Sequence, residues 1–246
     1  MIIFGLVFAS SLAWFISSLI GGGSPLVLIP VLSLLVDATA IPPIITVGML
    51  FGNAQRTVIY WQEVDWSITR WYVPGGIVGS IIGAFLFSRT QIAWLSVLLA
   101  LFLLTSVVAM VLERQVQHFE VKAWYFLPVA LVYALLSGLI GSTGPVLHPF
   151  YLSAGLMKEQ MLATKSLNIL LVHLVKILAY GGFGVLTTEH LGYGIILGVA
   201  ALPGNWLGQR VLKRISDQQF RRFAIAFVAC SGMFMLWQQR TLLGGW

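Results

Sequence analysis

Twice in this chain an apolar run is interrupted by the same kind of helix breaker. Residues 19–30 read Leu-Ile-Gly-Gly-Gly-Ser-Pro-Leu-Val-Leu-Ile-Pro, and residues 139–149 read Leu-Ile-Gly-Ser-Thr-Gly-Pro-Val-Leu-His-Pro. Backbone N–H and C=O groups freed inside hydrocarbon find no water, so such a break survives only where it lines a cavity or binds something. A pair of interrupted segments at corresponding places in two halves of a chain points to the binding site of a transporter.

The breaks matter because the chain is a membrane protein. It is 59% hydrophobic and 9% charged, too few charges to coat a soluble domain of 246 residues. The net charge of +6 therefore reports topology before it reports a polyanionic partner, and no nucleic-acid role is expected. The single cysteine, Cys230, excludes an intrachain disulfide and any multi-cysteine metal site. No basic residue precedes Arg56, so the first apolar run is read as part of the fold rather than as a cleaved leader.

Apolar runs cover roughly 2–20, 26–36, 42–61, 71–88, 91–112, 124–140, 145–154, 160–183, 191–209 and 219–238. The runs at 26–36 and 145–154 follow the breaks and are too short to span, so each reads as the second arm of a broken or re-entrant helix. The two halves align. Leu19, Ile20, Gly21 and Pro25 match Leu139, Ile140, Gly141 and Pro145, and Arg56 and Tyr60 match Lys176 and Tyr180. After five extra residues in a loop, Gly79, Gly83 and Arg89 match Gly204, Gly208 and Arg214. The ordered series argues for an internal duplication, with repeats at 1–112 and 124–246 joined by 113–123.

The basic residues orient it. With three crossings per half, Arg70, Arg114, Lys122, Lys158, Lys165, Arg210, Lys213, Arg214, Arg221 and Arg222 fall on one side, against Arg89 and Arg240 on the other. Four crossings per half would put the 210–222 cluster outside, against the positive-inside bias. The expected fold is an all-α integral membrane protein of two inverted repeats. Each has a broken or re-entrant helix plus three transmembrane helices, about eight membrane segments, with both ends facing outward. Gly75, Gly79 and Gly83, like Gly204 and Gly208, recur every four residues and are read as close helix contacts. Trp61, Trp66, Trp71, Trp124 and Trp237 lie near run ends, as an interfacial belt does.

Ser24 before Pro25 and Gly144 before Pro145 read as a cap followed by proline at the first helical position. Each short arm then opens its N-terminus inside the membrane, and free N–H groups with the positive end of the helix dipole favour an anion. Gly21, Gly22, Gly23, Ser24 and Pro25 form one expected wall of the site; Gly141, Ser142, Thr143, Gly144 and Pro145 form the other. The competing reading is a kink used for packing alone. Arg56 and Lys176 lie in apolar runs that contain no carboxylate, so an anionic substrate is the missing partner. Snorkelling past Tyr60 and Tyr180 is the alternative. Asn53, Asn168 and His173, with Gln55, either touch the substrate or bond helix to helix. Lys165 reads as an anchor at the membrane edge, and His148 as either a proton carrier or a structural histidine.

A phosphate-binding Gly-x-x-x-x-Gly-Lys-Ser/Thr loop is missing, as are a His-Glu-x-x-His zinc motif and a nucleophile elbow. No enzyme activity, catalytic residue, metal or cofactor is expected. Four places together resemble the sulfite exporter TauE/SafE family: Gly21-Gly22-Gly23-Ser24-Pro25 through Pro30, its repeat at 138–149, Glu63-Val64-Asp65-Trp66, and Pro203-Gly204-Asn205-Trp206-Leu207-Gly208 with the basic loop through Arg222. The second break departs from the family's run of glycines, with Ser142-Thr143-Gly144 in its place. The resemblance implies a multi-pass permease of the cell membrane, a bacterial inner membrane, that moves sulfite, a sulfonate or a related carboxylate.

The expected function is alternating-access transport of a small anion across the lipid bilayer. An anion channel is the alternative, with a membrane enzyme or assembly factor behind it. A potential of about 100 mV is worth about 2.3 kcal/mol per elementary charge, so an inside-negative membrane helps expel a monoanion and opposes its uptake. Uptake needs a coupling ion, for which a proton or sodium is the candidate. A homodimer is the candidate assembly.

Overall fold

A computed structural model describes residues 2–19, 24–89, 101, 104–105, 121–142, 147–156, 158–211, 233 and 237. Within them the ordered elements are helical: α1 (Ile2–Leu19), α2 (Ser24–Ser33), α3 (Ile41–Ile59), α4 (Trp66–Arg89), α5 (Phe126–Ile140), α6 (His148–Ser153), α7 (Lys158–Gly182) and α8 (Thr188–Val211). Four of these segments, Trp66–Arg89, Ala123–Ile140, Glu159–Gly182 and Thr188–Gly208, are long and apolar enough to cross a membrane. The chain is therefore an all-helical, multi-pass membrane protein over the described residues. The apolar runs expected at 91–112 and 219–238, the linker 113–123 for the most part, and Cys230 lie outside them.

Local chemistry sets the helix ends. The side chain of Asp65 accepts from the N–H groups of Ser67 (2.8 Å) and Ile68 (3.1 Å), which caps α4. Its own N–H donates to the Thr164 hydroxyl of α7 at 2.8 Å, and Val64 is buried with Ala163 and Leu167. The Val64-Asp65-Trp66 motif thus starts one helix and pins that start to another. Two prolines, Pro42 and Pro43, occupy the first turn of α3, where a missing N–H costs nothing. α5 ends at Gly141, whose φ of +99° is a conformation that L side chains rarely adopt.

The helices gather around two cores. One is built mainly from α1, α2, α3 and α8, with Trp14, Leu28, Ile44, Ile45, Leu197 and Ala201 at its centre. The other is built from α4, α5, α6 and α7, around Tyr72, Phe126, Tyr133, Tyr151 and Val172. Each core takes three consecutive helices from one half of the chain and its fourth helix from the other half. The most extensive interfaces, α4 on α5 and α1 on α8, both join the two halves.

Glycine makes those interfaces close. A Cβ at Gly75, Gly79 or Gly83 of α4 would run into the carbonyl oxygens of Leu127, Leu131 and Leu135 of α5. Gly204 of α8 bears in the same way on the Ser11 carbonyl of α1. The four-residue glycine spacing thus has the packing role the sequence suggests. Trp61, Trp66, Trp71, Trp124 and Trp237 all point outward, between 44% and 60% exposed.

Candidate anion site at the second break

Gly21, Gly22 and Gly23 of the first break, and Thr143, Gly144 and Pro145 of the second, lie outside the described residues. Their flanks are described. Ser24 is the first residue of α2 and is buried, as is Pro25; the Ser24 hydroxyl donates to the thioether of Met49 (3.3 Å). Gly141 and Ser142 continue directly from α5, and both are buried.

Arg56 and Lys176 are 5% and 0% exposed, so neither snorkels to solvent. Lys176 reaches back from α7 to the end of α5. Its Nζ donates to the Ser137 carbonyl (2.8 Å), the Ser137 hydroxyl (3.1 Å) and the Gly141 carbonyl. An ammonium has three hydrogens and a neutral amine two, so three acceptors match the charged form. The last carbonyls of a helix also carry the negative end of its dipole, which favours a cation there. The face of Tyr180 lies 5.7 Å from Nζ, and the Tyr180 hydroxyl donates to the Gly138 carbonyl. Among the described residues every acceptor around Lys176 is neutral, and no carboxylate pairs with its charge.

Arg56 is held differently. Its Nε donates to Asn205 Oδ1 of α8 (3.0 Å), and Nη2 donates to the Ser17 hydroxyl of α1 (3.3 Å). The guanidinium also lies 4.9 Å from the centre of the Trp14 ring. Asn205 in turn donates to Gln55 Oε1 at 2.7 Å. Arg56 therefore ties α1, α3 and α8 together. The two cations share a pattern: Arg56 bonds a serine 39 residues before it, and Lys176 does the same. Ser17 and Ser137 stand at the offset that also relates Arg56 to Lys176.

The remaining polar residues divide between these two settings. Asn53 donates to the Met49 carbonyl of its own helix (2.8 Å), and Thr57 caps the Asn53 carbonyl in turn. Asn168 donates to the Tyr151 hydroxyl (2.9 Å) and leaves its Oδ1 unbonded. His173, fully buried beside Lys176, has no partner for either ring nitrogen. Lys165, expected at the membrane edge, is buried as well. The groove lined by Tyr60, Gln62, Glu63 and Glu159 contains none of the expected site residues.

Several participants were not singled out by the sequence. Ser17 and Ser137 had a signal, the offset of the repeat, and Asn205 lies inside a quoted motif. Trp14, Tyr72, Tyr133 and Tyr151 had none, because an aromatic residue in an apolar helix reads as core. Among the described residues no cluster of His, Cys, Asp and Glu is arranged to hold a metal ion.

No curated protein and no solved structure matches the chain. A family model does, described as sulfite exporter TauE/SafE and matched over residues 6–235. That span takes in both breaks, both buried cations and both cores, and with it the chain belongs to the sulfite exporter TauE/SafE family of membrane transporters.

Proposed function

We propose that this chain is a carrier for a small sulfur oxyanion, such as sulfite or a sulfonate, working by alternating access. The observation that supports it best is Lys176. A buried ammonium surrounded by neutral acceptors at the end of an interrupted helix has no counter-charge among the described residues. Charge at membrane depth is held where a cavity or a ligand makes use of it. A monoanion arriving beside Ser142 supplies the missing negative charge. Because all three N–H groups of Lys176 are committed, its part is long-range attraction rather than direct contact. Arg56 adds to the same positive field from the first half.

An inverted duplication accounts for the matched bonds Arg56–Ser17 and Lys176–Ser137, and for the exchange of the fourth helix between cores. It also changes which bodies move. The glycine contacts weld α4 to α5 and α1 to α8, so the rocking units are α1–α3 with α8, and α4 with α5–α7, rather than the two sequence halves. Rocking alternately exposes the site to one side of the membrane and then the other. This is transport rather than catalysis, in a cell membrane, with an inside-negative potential favouring export of an uncoupled monoanion.

The test is a thermal-shift panel on purified protein with sulfite, thiosulfate, methanesulfonate, sulfoacetate, taurine, sulfate and acetate. A ligand of the folded state raises the melting temperature by mass action. Saturable stabilisation by one or more of the sulfur oxyanions is expected; a flat response across the panel contradicts the proposal.

A further inference from the structure

Four buried side chains around the second break have hydrogen-bonding atoms that bond to nothing: the Tyr72 and Tyr133 hydroxyls, the Ser142 hydroxyl, and Asn168 Oδ1. None of the four residues is more than 2% exposed. They belong to one place. The Tyr72 and Tyr133 rings are 6.3 Å apart. The Tyr133 hydroxyl lies beside those of Ser137 and Ser142 without completing a bond to either. Tyr151, the partner of Asn168, neighbours both tyrosines. Ser137 is the residue that Lys176 grips, so the ammonium is the next group beyond the cluster. Buried polar groups are nearly always paired, and a concentration of unpaired ones marks a missing partner.

The first core lacks this cluster. At the offsets that align the halves, Tyr133 corresponds to Ala13, Asn168 to Gly48 and Tyr72 to Leu197. There the space is closed: Leu197 reaches within 2.7 Å of where a Cβ on Gly48 would sit, and Ala13 and Leu197 are fully buried in the first core.

We infer that the anion is bound asymmetrically, by the second half and α4, with the Tyr72, Tyr133 and Ser142 hydroxyls donating to its oxygens and Asn168 holding Tyr151 beside them. This rests on the carrier reading above and narrows it. Three hydroxyl donors grouped near an ammonium match the three oxygens of a sulfite or sulfonate head group better than the two of a carboxylate. Neutral donors also suit a carrier. They hold the anion without a contact ion pair, so release breaks hydrogen bonds to neutral donors and a longer-range attraction to Lys176 rather than a direct ion pair. Tyr72 comes from α4 and the rest from α5, α7 and the break, so the site is built across the glycine-welded interface of one rocking unit.

The experiment compares wild type, Tyr72→Phe, Tyr133→Phe and Ser10→Ala. Ser10 is a buried first-half serine bonded to the Leu197 carbonyl. Each purified protein is titrated calorimetrically with methanesulfonate and with acetate, and its unliganded melting temperature is measured. Each Phe variant is expected to bind methanesulfonate about tenfold or more weakly, the typical loss for one hydrogen bond to a charged group. Ser10→Ala is expected to bind like wild type. The unliganded Phe variants should melt no lower than wild type, since an unbonded buried hydroxyl contributes no bond to lose. Undiminished affinity in both Phe variants, while wild type binds and carries the anion, overturns the asymmetric site and leaves the carrier reading standing. A lower melting temperature in the Phe variants makes the hydroxyls structural and also overturns it. Acetate bound as tightly as methanesulfonate overturns the three-oxygen assignment. A wild-type protein that binds and carries no sulfur oxyanion removes the carrier reading, and this inference with it.

Discussion

Replacing Lys176 with methionine separates its electrostatic part from its structural one. The side chain keeps most of its length, one atom short, and loses its charge and three donors. On the structural side, the Gly141 carbonyl still faces the Ser137 hydroxyl (3.3 Å) and the Thr46 hydroxyl (3.5 Å), so the Ser137 carbonyl is the acceptor left poorest. One underbonded buried carbonyl costs about 1–3 kcal/mol. Against that, methionine no longer has to be desolvated as an ion, a penalty of several kcal/mol. Net stability without ligand should therefore change little or rise. On the electrostatic side, a monoanion about 6 Å from Nζ at an effective dielectric of about 20 loses about 2.8 kcal/mol of attraction. That is about a hundredfold in affinity. The assay is calorimetric titration of Lys176→Met with sulfite and methanesulfonate, beside its unliganded thermal unfolding. Unchanged affinity would refute the charge argument. A collapse of the unliganded fold with affinity lost in step would show that the lysine serves only to cap α5.

Other consequences are as specific. A Cβ on Gly138 would lie 2.6 Å from the Gly83 carbonyl carbon and 2.9 Å from Ala84 N, where ordinary contact starts at 3.4 Å, so Gly138→Ala must part α4 and α5. Overpacking costs about 1–3 kcal/mol, and the gain in helix propensity returns at most about 1; thermal unfolding should show a net loss. Asn205→Leu takes the acceptor from Arg56 Nε and the donor from Gln55, and should lower stability by about 1.5–3 kcal/mol in the same measurement. In a Cys230→Ser background, cysteines at Gln115 and Asp217 should both react with a membrane-impermeant thiol reagent from the cytoplasmic face alone. Reaction of position 217 from outside would contradict the inverted arrangement.

The membrane class and the helical fold were legible because charge is so scarce and the apolar runs are so long. The glycine row at 75–83, and Gly204 in the second half, announced their packing role through spacing alone. Arg56 and Lys176 stood out because a charge among apolar residues is conspicuous in any register. Their partners were less visible. Ser17 and Ser137 are ordinary serines until the offset of the repeat pairs them, and Asn205 acquires meaning only when α8 is laid against α3. The tyrosines could not be read at all. Nothing in the run around Tyr72 or Tyr133 distinguishes a hydroxyl buried without a partner from one that reaches the interface, because that depends on which helices surround it. The exchange of α4 and α8 between the cores was equally hidden, since hydrophobic periodicity says that a face is buried and not against what.

The central claim is that this protein carries a sulfur oxyanion, and counterflow in reconstituted vesicles tests it most directly. Protein is placed in vesicles loaded with unlabelled sulfite, and entry of radiolabelled sulfite is followed with the membrane potential clamped at zero. A carrier gives a transient accumulation of label above the outside concentration, abolished when the internal sulfite is omitted. Monotonic equilibration with no trans-stimulation would make the protein a pore, and no protein-dependent entry of any sulfur oxyanion would contradict the account altogether.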